Sequence, residues 1–247
     1  MESPGAIHHA RATPTAPTPP MPTLHPWLPP IAGLHRRDPG HRYWLGEVQF
    51  PISVTGVIGC TKSDYAMDRI EATRATWEPR GNSCHRALEL WIAGNNSEHV
   101  PFTPADLGEL HGLENGPYAD WIAPLLTHDR WNQLQVIASE MPVACLRRRV
   151  AGCFDCAYID EQGRTVLADL KTLASDSSST YCTRAQLGGY MALLKSSHGI
   201  EIQHGQTIWA RPGQTTFSPL YSRQECLLAW AGAWATWRAR AAEPGFI

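Results

Sequence analysis

Residues 150–172 carry a strand-like pattern on either side of a polar break. Val150 to Asp160 and Arg164 to Thr172 are apolar-rich, with β-branched and aromatic residues, and Glu161-Gln162-Gly163 between them is polar and ends in glycine. The pattern predicts two strands joined by a three-residue loop whose last residue is left-handed. That loop pairs Asp160 with Arg164, and counting back sets Asp155 opposite Asp169, with Cβ atoms roughly 4.5–5.5 Å apart. Lys171, two residues beyond Asp169, shares the same face. A two-residue turn at Gln162-Gly163 is the alternative; it shifts the register by one and sets Asp155 opposite Leu170.

Around this hairpin the period alternates between helix and strand. Tyr43 to Phe50 predicts an edge strand, Ser53-Val54-Thr55 an extended or capping segment, and Thr61 to about Ala75 a helix. Pro79 to Ala93 predicts a clearer helix, with Pro79 in its first turn and Gly94 past its end. His85 and Glu89, four apart, lie one above the other on it. Thr103 caps a short helix from Pro104 to His111, and a second runs from Pro117 to Leu126. Trp131 to Ser139 and Val143 to Arg149 read as strands, and Thr183 to Ser196 as an amphipathic helix. Gln206 to Ala210 and Thr216 to Leu220 form a second hairpin through Arg211-Pro-Gly-Gln214, before a terminal helix from Ser222 to Ala242 whose tryptophans are assigned to the core. Helices, a strand meander, then a helix, strands and a helix predict an α/β or α+β layer around a central mixed sheet.

Composition divides the chain. Residues 1–42 hold ten of the twenty prolines and are expected to be an extended or disordered tail, leaving 43–247 as one domain. A net charge of -2 provides no global basic field, so any nucleic acid must be held by a local patch. Arg147-Arg148-Arg149 is a candidate phosphate contact, although strand alternation would send Arg148 away from its neighbours. No stretch approaches the roughly 18 apolar residues of a membrane span. Seven scattered cysteines fit a reducing, cytoplasm-like compartment. Cys153 and Cys156 lie three apart on a strand, point to opposite faces and have no partner pair, so they are assigned as small apolar fillers.

Two aspartates facing each other in an apolar hairpin repel, and a sequence selected for stability alone avoids them. A divalent cation removes the conflict, and magnesium takes one or two carboxylates with water and phosphate oxygens. The adjacent lysine would then face a phosphate or the attacking water. The rival reading is an exposed hairpin with solvated acids.

The order of motifs adds a resemblance. Gly81-Asn-Ser-Cys-His85-Arg-Ala-Leu-Glu89, Glu140-Met-Pro-Val, Ala151-Gly-Cys-Phe-Asp155, Asp169-Leu-Lys171 and Gln186-Leu-Gly-Gly-Tyr190 resemble the RecB-like exonuclease branch of the PD-(D/E)xK nuclease superfamily. Ser53-Val54-Thr55-Gly-Val-Ile-Gly is similar to the opening of the mitochondrial genome maintenance exonuclease group and its phage and bacterial relatives. The resemblance implies a restriction-endonuclease-like core, a central mixed sheet flanked by helices with the cleavage site at the hairpin. It implies that His85, Asp155, Asp169 and the Leu170 carbonyl hold magnesium or manganese, with Asp155, Asp169 and Lys171 catalytic. Gln186 and Tyr190 would bind DNA or steady the hairpin, and Glu89 and Glu140 would support the site. The implied activity is exonucleolytic hydrolysis of single-stranded DNA or free ends in a bacterial or phage-infected cell. A replication or recombination protein is a candidate partner for the proline-rich segment. Only Cys226 lies where related nucleases carry a cysteine trio, so no iron–sulfur cluster is expected. A structure-selective endonuclease and a catalytically silent DNA-binding subunit are the rival functions.

Overall fold

The computed structural model describes residues 27–37 and 42–243. Strands β1 (Leu34–Arg37), β2 (Arg42–Leu45) and β3 (Val48–Gln49) form a small antiparallel sheet. Gly46, at φ +57, turns the chain between β2 and β3, so the single edge strand expected over Tyr43 to Phe50 is a hairpin. Strand β4 (Ile52–Ser53) then leads into α1 (Val54–Gly59), with the Ser53 side chain accepting from the Gly56 amide as its cap. Helices α2 (Asp64–Ala72), α3 (Arg74–Asn95), α4 (Pro104–Glu114) and α5 (Ala119–Leu126) follow. After a 3-10 turn at Asp129–Gln133 come β5 (Gln135–Cys145), β6 (Val150–Ile159) and β7 (Thr165–Thr172). The chain finishes through α6 (Arg184–His198), β8 (His204–Arg211), β9 (Gln214–Phe217), β10 (Tyr221–Ser222) and α7 (Arg223–Ala241).

The main sheet has seven strands in the path β10-β8-β7-β6-β4, with β5 paired to β6 and β9 to β8. Its β4–β6 and β7–β8 pairs are parallel and the others antiparallel, so the sheet is mixed. Helices cover both faces, and β7 shows why. Leu167 joins the core under α1, α6 and α7, whereas Val166, Ala168 and Leu170 join the core under α3, α4 and α5. A strand buried on both faces carries an apolar run rather than alternation. The fold is α/β, as expected. Among the described residues no helix is long and apolar enough to cross a membrane.

Four boundaries differ from expectation. Helix α3 starts at Arg74, with Pro79 inside it rather than in its first turn. The lost N–H frees one carbonyl, that of exposed Ala75, which water can satisfy. The two strands expected around Glu140 are one strand, β5, and Trp131 belongs to the preceding 3-10 turn. Pro142 is tolerated because β5 pairs only with β6 and its other edge needs no N–H there. Arg147, Arg148 and Arg149 lie in the turn between β5 and β6, so the alternation argument about them does not apply. Finally, residues 27–37 are folded: Leu28 is buried in the main core, its amide donates to the Ile137 carbonyl at 2.7 Å, and β1 pairs with β2. A β-capable run with Leu34 buried outweighs the proline content around it. The remainder of the proline-rich segment, 1–26 and 38–41, lies outside the described residues.

Close packing of α6 on α7 depends on Gly188, where a Cβ would collide with the Cys226 carbonyl. Gly188→Ala is expected to destabilise the protein by about 3 kcal/mol, since backbone cannot yield as a side chain does. An unchanged urea midpoint would show that the two helices separate without cost.

Candidate metal centre and its cleft

Strand register builds the site. Asp160 N donates to the Arg164 carbonyl at 3.0 Å and Gly163 has φ +74, which establishes the three-residue loop and rejects the two-residue turn. The ladder runs to Cys156 opposite Ala168, so Asp155 and Asp169 are the next opposed positions. On the other flank, Ser139 pairs with Cys156 and Met141 with Phe154, which sets Glu140 across from Asp155. Glu140, Asp155 and Asp169 therefore form one row over three adjacent strands, spaced about 4.8 Å apart. Glu140 has φ +42, a left-handed conformation that a glutamate adopts only at a cost.

Helix α3 brings His85 to this row. Its Nδ1 lies 3.3 Å from both Glu140 Oε1 and Asp155 Oδ1. One ligand atom each from His85, Glu140 and Asp155 falls within 4.8 Å of the others, so the cluster can hold a metal ion. Glu140, expected only to support the site, stands in the cluster itself. Asp169 stands beside it, 1 % exposed, with Oδ2 2.7 Å from Lys171 Nζ. Leu170 reaches the site through its amide, which donates to Asp155 Oδ2 at 2.5 Å.

Charges in the row are strongly coupled. Burial disfavours the His85 imidazolium, but Asp155 and Glu140 override it and push the ring up to about 10. Burial likewise opposes ionisation of Asp155, yet His85 and Lys171 hold it below the usual carboxylate range. Burial lifts Glu140, against the pull of His85. Asp169 is lifted to about 6 by burial, which the neighbouring Lys171 only partly offsets. Burial disfavours the Lys171 ammonium, but Asp169 and Asp155 hold it above the ordinary lysine range, so it stays protonated.

This donor set fits a hard divalent cation. Asp169 Oδ1 is buried and lacks a hydrogen-bond partner among the described residues, while Oδ2 is met by Lys171 Nζ at 2.7 Å. Such an orphaned acceptor needs an explanation, and a cation supplies one. Carboxylates with one imidazole suit manganese well and magnesium acceptably.

The row opens into a cleft of ≈730 Å³. Gln186 and Tyr190 both line it, and Gln186 Nε2 donates to the Tyr190 hydroxyl at 3.3 Å. Tyr190 is buried and lies against Gly152, where a Cβ would approach its ring to 2.7 Å, so it steadies the β6 strand. Glu89 lines the cleft too, paired with Arg86 at 2.8 Å.

Several lining residues escaped the sequence reading: Lys62 on the loop after α1, Trp77 on α3, and Tyr181 before α6. They are single residues on separate elements, and no local spacing connects them. Cys153 did leave a signal, since it lies two residues before Asp155 and must share its face. Its thiol donates to Glu140 Oε2 at 3.6 Å, so it is not the apolar filler expected, whereas Cys156 is buried in the core.

No family model matches this chain, and no curated protein matches it. Among solved structures it is similar to one described as "Crystal structure of SSO0001", at 14% identity over 64% of this chain and 73% of that one. The TM-score is 0.32, too low to carry an argument about fold family or function.

Proposed function

We propose that the chain is a metal-dependent deoxyribonuclease with a restriction-endonuclease-like core, acting exonucleolytically on single-stranded DNA or free ends. The observation that carries this reading is the row Glu140–Asp155–Asp169 with His85 above it and protonated Lys171 beside it in an open cleft. His85, Glu140 and Asp155 would hold magnesium or manganese, with Asp169 adjoining. When bound, such an ion supplies Lewis-acid polarisation of a phosphoryl oxygen and a more acidic water.

The remaining work falls to the chain. Lys171, held as an ammonium by Asp169 and Asp155, places positive charge where the phosphodiester gains negative charge during attack. Its protonated state suits charge stabilisation and water orientation rather than proton abstraction. Asp155 is oriented by the Leu170 amide, so its second oxygen faces His85. Lys62 lines the cleft with Trp77 and Tyr181, a cation and aromatic rings that suit a single strand, while Arg74 and Arg86 line it paired with Glu78 and Glu89.

Cleavage of end-labelled single-stranded DNA with magnesium, manganese or EDTA tests the reading, with Lys171→Met alongside. Metal-dependent shortening from an end, reduced about a hundredfold or more in the variant, is expected. Cutting of a covalently closed single-stranded circle would replace the exonuclease with an endonuclease. Binding without cleavage under any metal would identify a silent DNA-binding subunit.

A further inference from the structure

A second groove lies at the other end of β6, outside the cleft. Its cavity of ≈550 Å³ is lined by Arg147, Arg148, Lys195 and Arg223 over a floor that includes Trp230, and no acid lines it. Glu201 is the nearby counter-charge, 2.8 Å from Lys195 and 3.5 Å from Arg223. No ion pair or side-chain hydrogen bond among the described residues engages Arg147 or Arg149. The Arg148 guanidinium lies 5.5 Å over the Trp234 ring. Trp230, Trp234 and Trp237 continue as a ladder along α7, with ring centroids 5.7 and 4.7 Å apart. Trp234 and Trp237 pack on the main core beside the cavity and are half-buried, so part of each ring surface stays open.

Backbone strain points the same way. Arg149 has φ +52, a left-handed turn position that glycine or asparagine fills at lower cost. Three consecutive arginines in an exposed turn, one of them left-handed, concentrate positive charge that a polyanion would neutralise.

The geometry points to this groove as a binding site for single-stranded DNA, its phosphates on Arg147, Arg148, Lys195 and Arg223 and its bases against the α7 tryptophans. A polyanion with flat apolar faces matches both halves of the surface, cations and rings. The choice of DNA rests on the nuclease reading. Val150 lines the groove and Asp155 lines the cleft, five residues apart on β6 and therefore on opposite faces of that strand. The groove would therefore hold DNA apart from the point of cleavage.

The test is fluorescence-polarisation binding of labelled oligothymidylate to the full chain in EDTA, over a series of salt concentrations. Arg147→Ala with Arg148→Ala should weaken binding roughly tenfold and flatten the log K against log salt slope by about 1.4, from about 0.7 per lost phosphate contact. Trp237→Leu should weaken it roughly tenfold with the slope retained, because stacking is not a counterion effect. Unchanged affinity and slope in the double variant, with metal-dependent cleavage intact, would overturn the groove and leave the nuclease reading standing. Groove-dependent binding by a protein that cleaves nothing would do the reverse. Displacement of the oligonucleotide by polyglutamate at equal charge would assign the groove to an acidic polypeptide and overturn the DNA assignment.

Discussion

Asp155→Asn is expected to reduce metal-dependent cleavage at least a thousandfold, equivalent to about 4 kcal/mol of transition-state stabilisation. Asp155 is the middle of the acidic row, facing Glu140 on one side and Asp169 on the other, and its Oδ1 is 3.3 Å from His85 Nδ1. Asparagine keeps the shape and an oxygen to accept the Leu170 amide, but it removes the charge a cation requires. The fold should survive, because the row loses one of three crowded negative charges and His85 still has Glu140 at 3.3 Å. Rates measured under single turnover, beside a far-ultraviolet circular dichroism spectrum, separate the two effects. Native-like structure with undiminished cleavage would show that hydrolysis occurs elsewhere on the chain.

Metal should also stabilise the protein, and increasingly so as pH rises. At a hundredfold excess over Kd, manganese stabilises by about 2.7 kcal/mol, or roughly 5–10 °C in Tm for a domain of this size. Metal ligands must be deprotonated, so proton and cation compete for the cluster. In the metal-free protein His85 is raised from 6.5 to about 10 by Asp155 and Glu140 against its burial. The folded state therefore binds this proton more tightly than the unfolded state does. The resulting stability is complete below about pH 6.5 and is lost as pH climbs through about 10. Metal-free Tm should accordingly decline over that window, while the manganese-induced increment grows. His85→Gln should remove most of both trends. A manganese increment in His85→Gln equal to that of the wild type would exclude the imidazole from the ligand set.

The hairpin at the centre of the site was legible because its rules are local. A polar tripeptide ending in glycine specifies a turn, and of the two turns it allows, the three-residue loop opposes Asp155 to Asp169. Side-chain period then adds Lys171 to their face. The cap of α4 was legible for the same reason, and the structure adds that Thr103 and Ser222 each close a capping box with an acid three residues on. The start of α3 was not, since one proline costs a helix a single bond that long-range packing can outweigh. Arg80, Cys84, Ala87 and Leu88 are buried against the sheet, and that burial carries the helix through Pro79.

Glu140 marks the limit most clearly. The sequence around it, acid then Met141 and Pro142, reads as a strand end, because glutamate and proline both disfavour a central strand. Whether β5 continues depends on its lying at a sheet edge, a property of the whole topology. Once it continues, the shift in pairing near Val136 and Ala138 decides which residue opposes Asp155. The N-terminal segment follows the same logic, since Leu28 is ordered by Ile137 and by the core beneath it, both remote in sequence.

By itself, then, the sequence determined the α/β order and the central hairpin, with Lys171 on the face of Asp169, all set by backbone sterics and hydrogen bonding over a few residues, and it left two registers for Asp155. Only the tertiary structure decided which register sets Asp155 opposite Asp169, that Glu140 completes a row with them, that α3 lowers His85 onto it, and that Arg148 meets Trp234 on α7. Those positions are fixed by how elements far apart in the chain pack together, which no local pattern encodes.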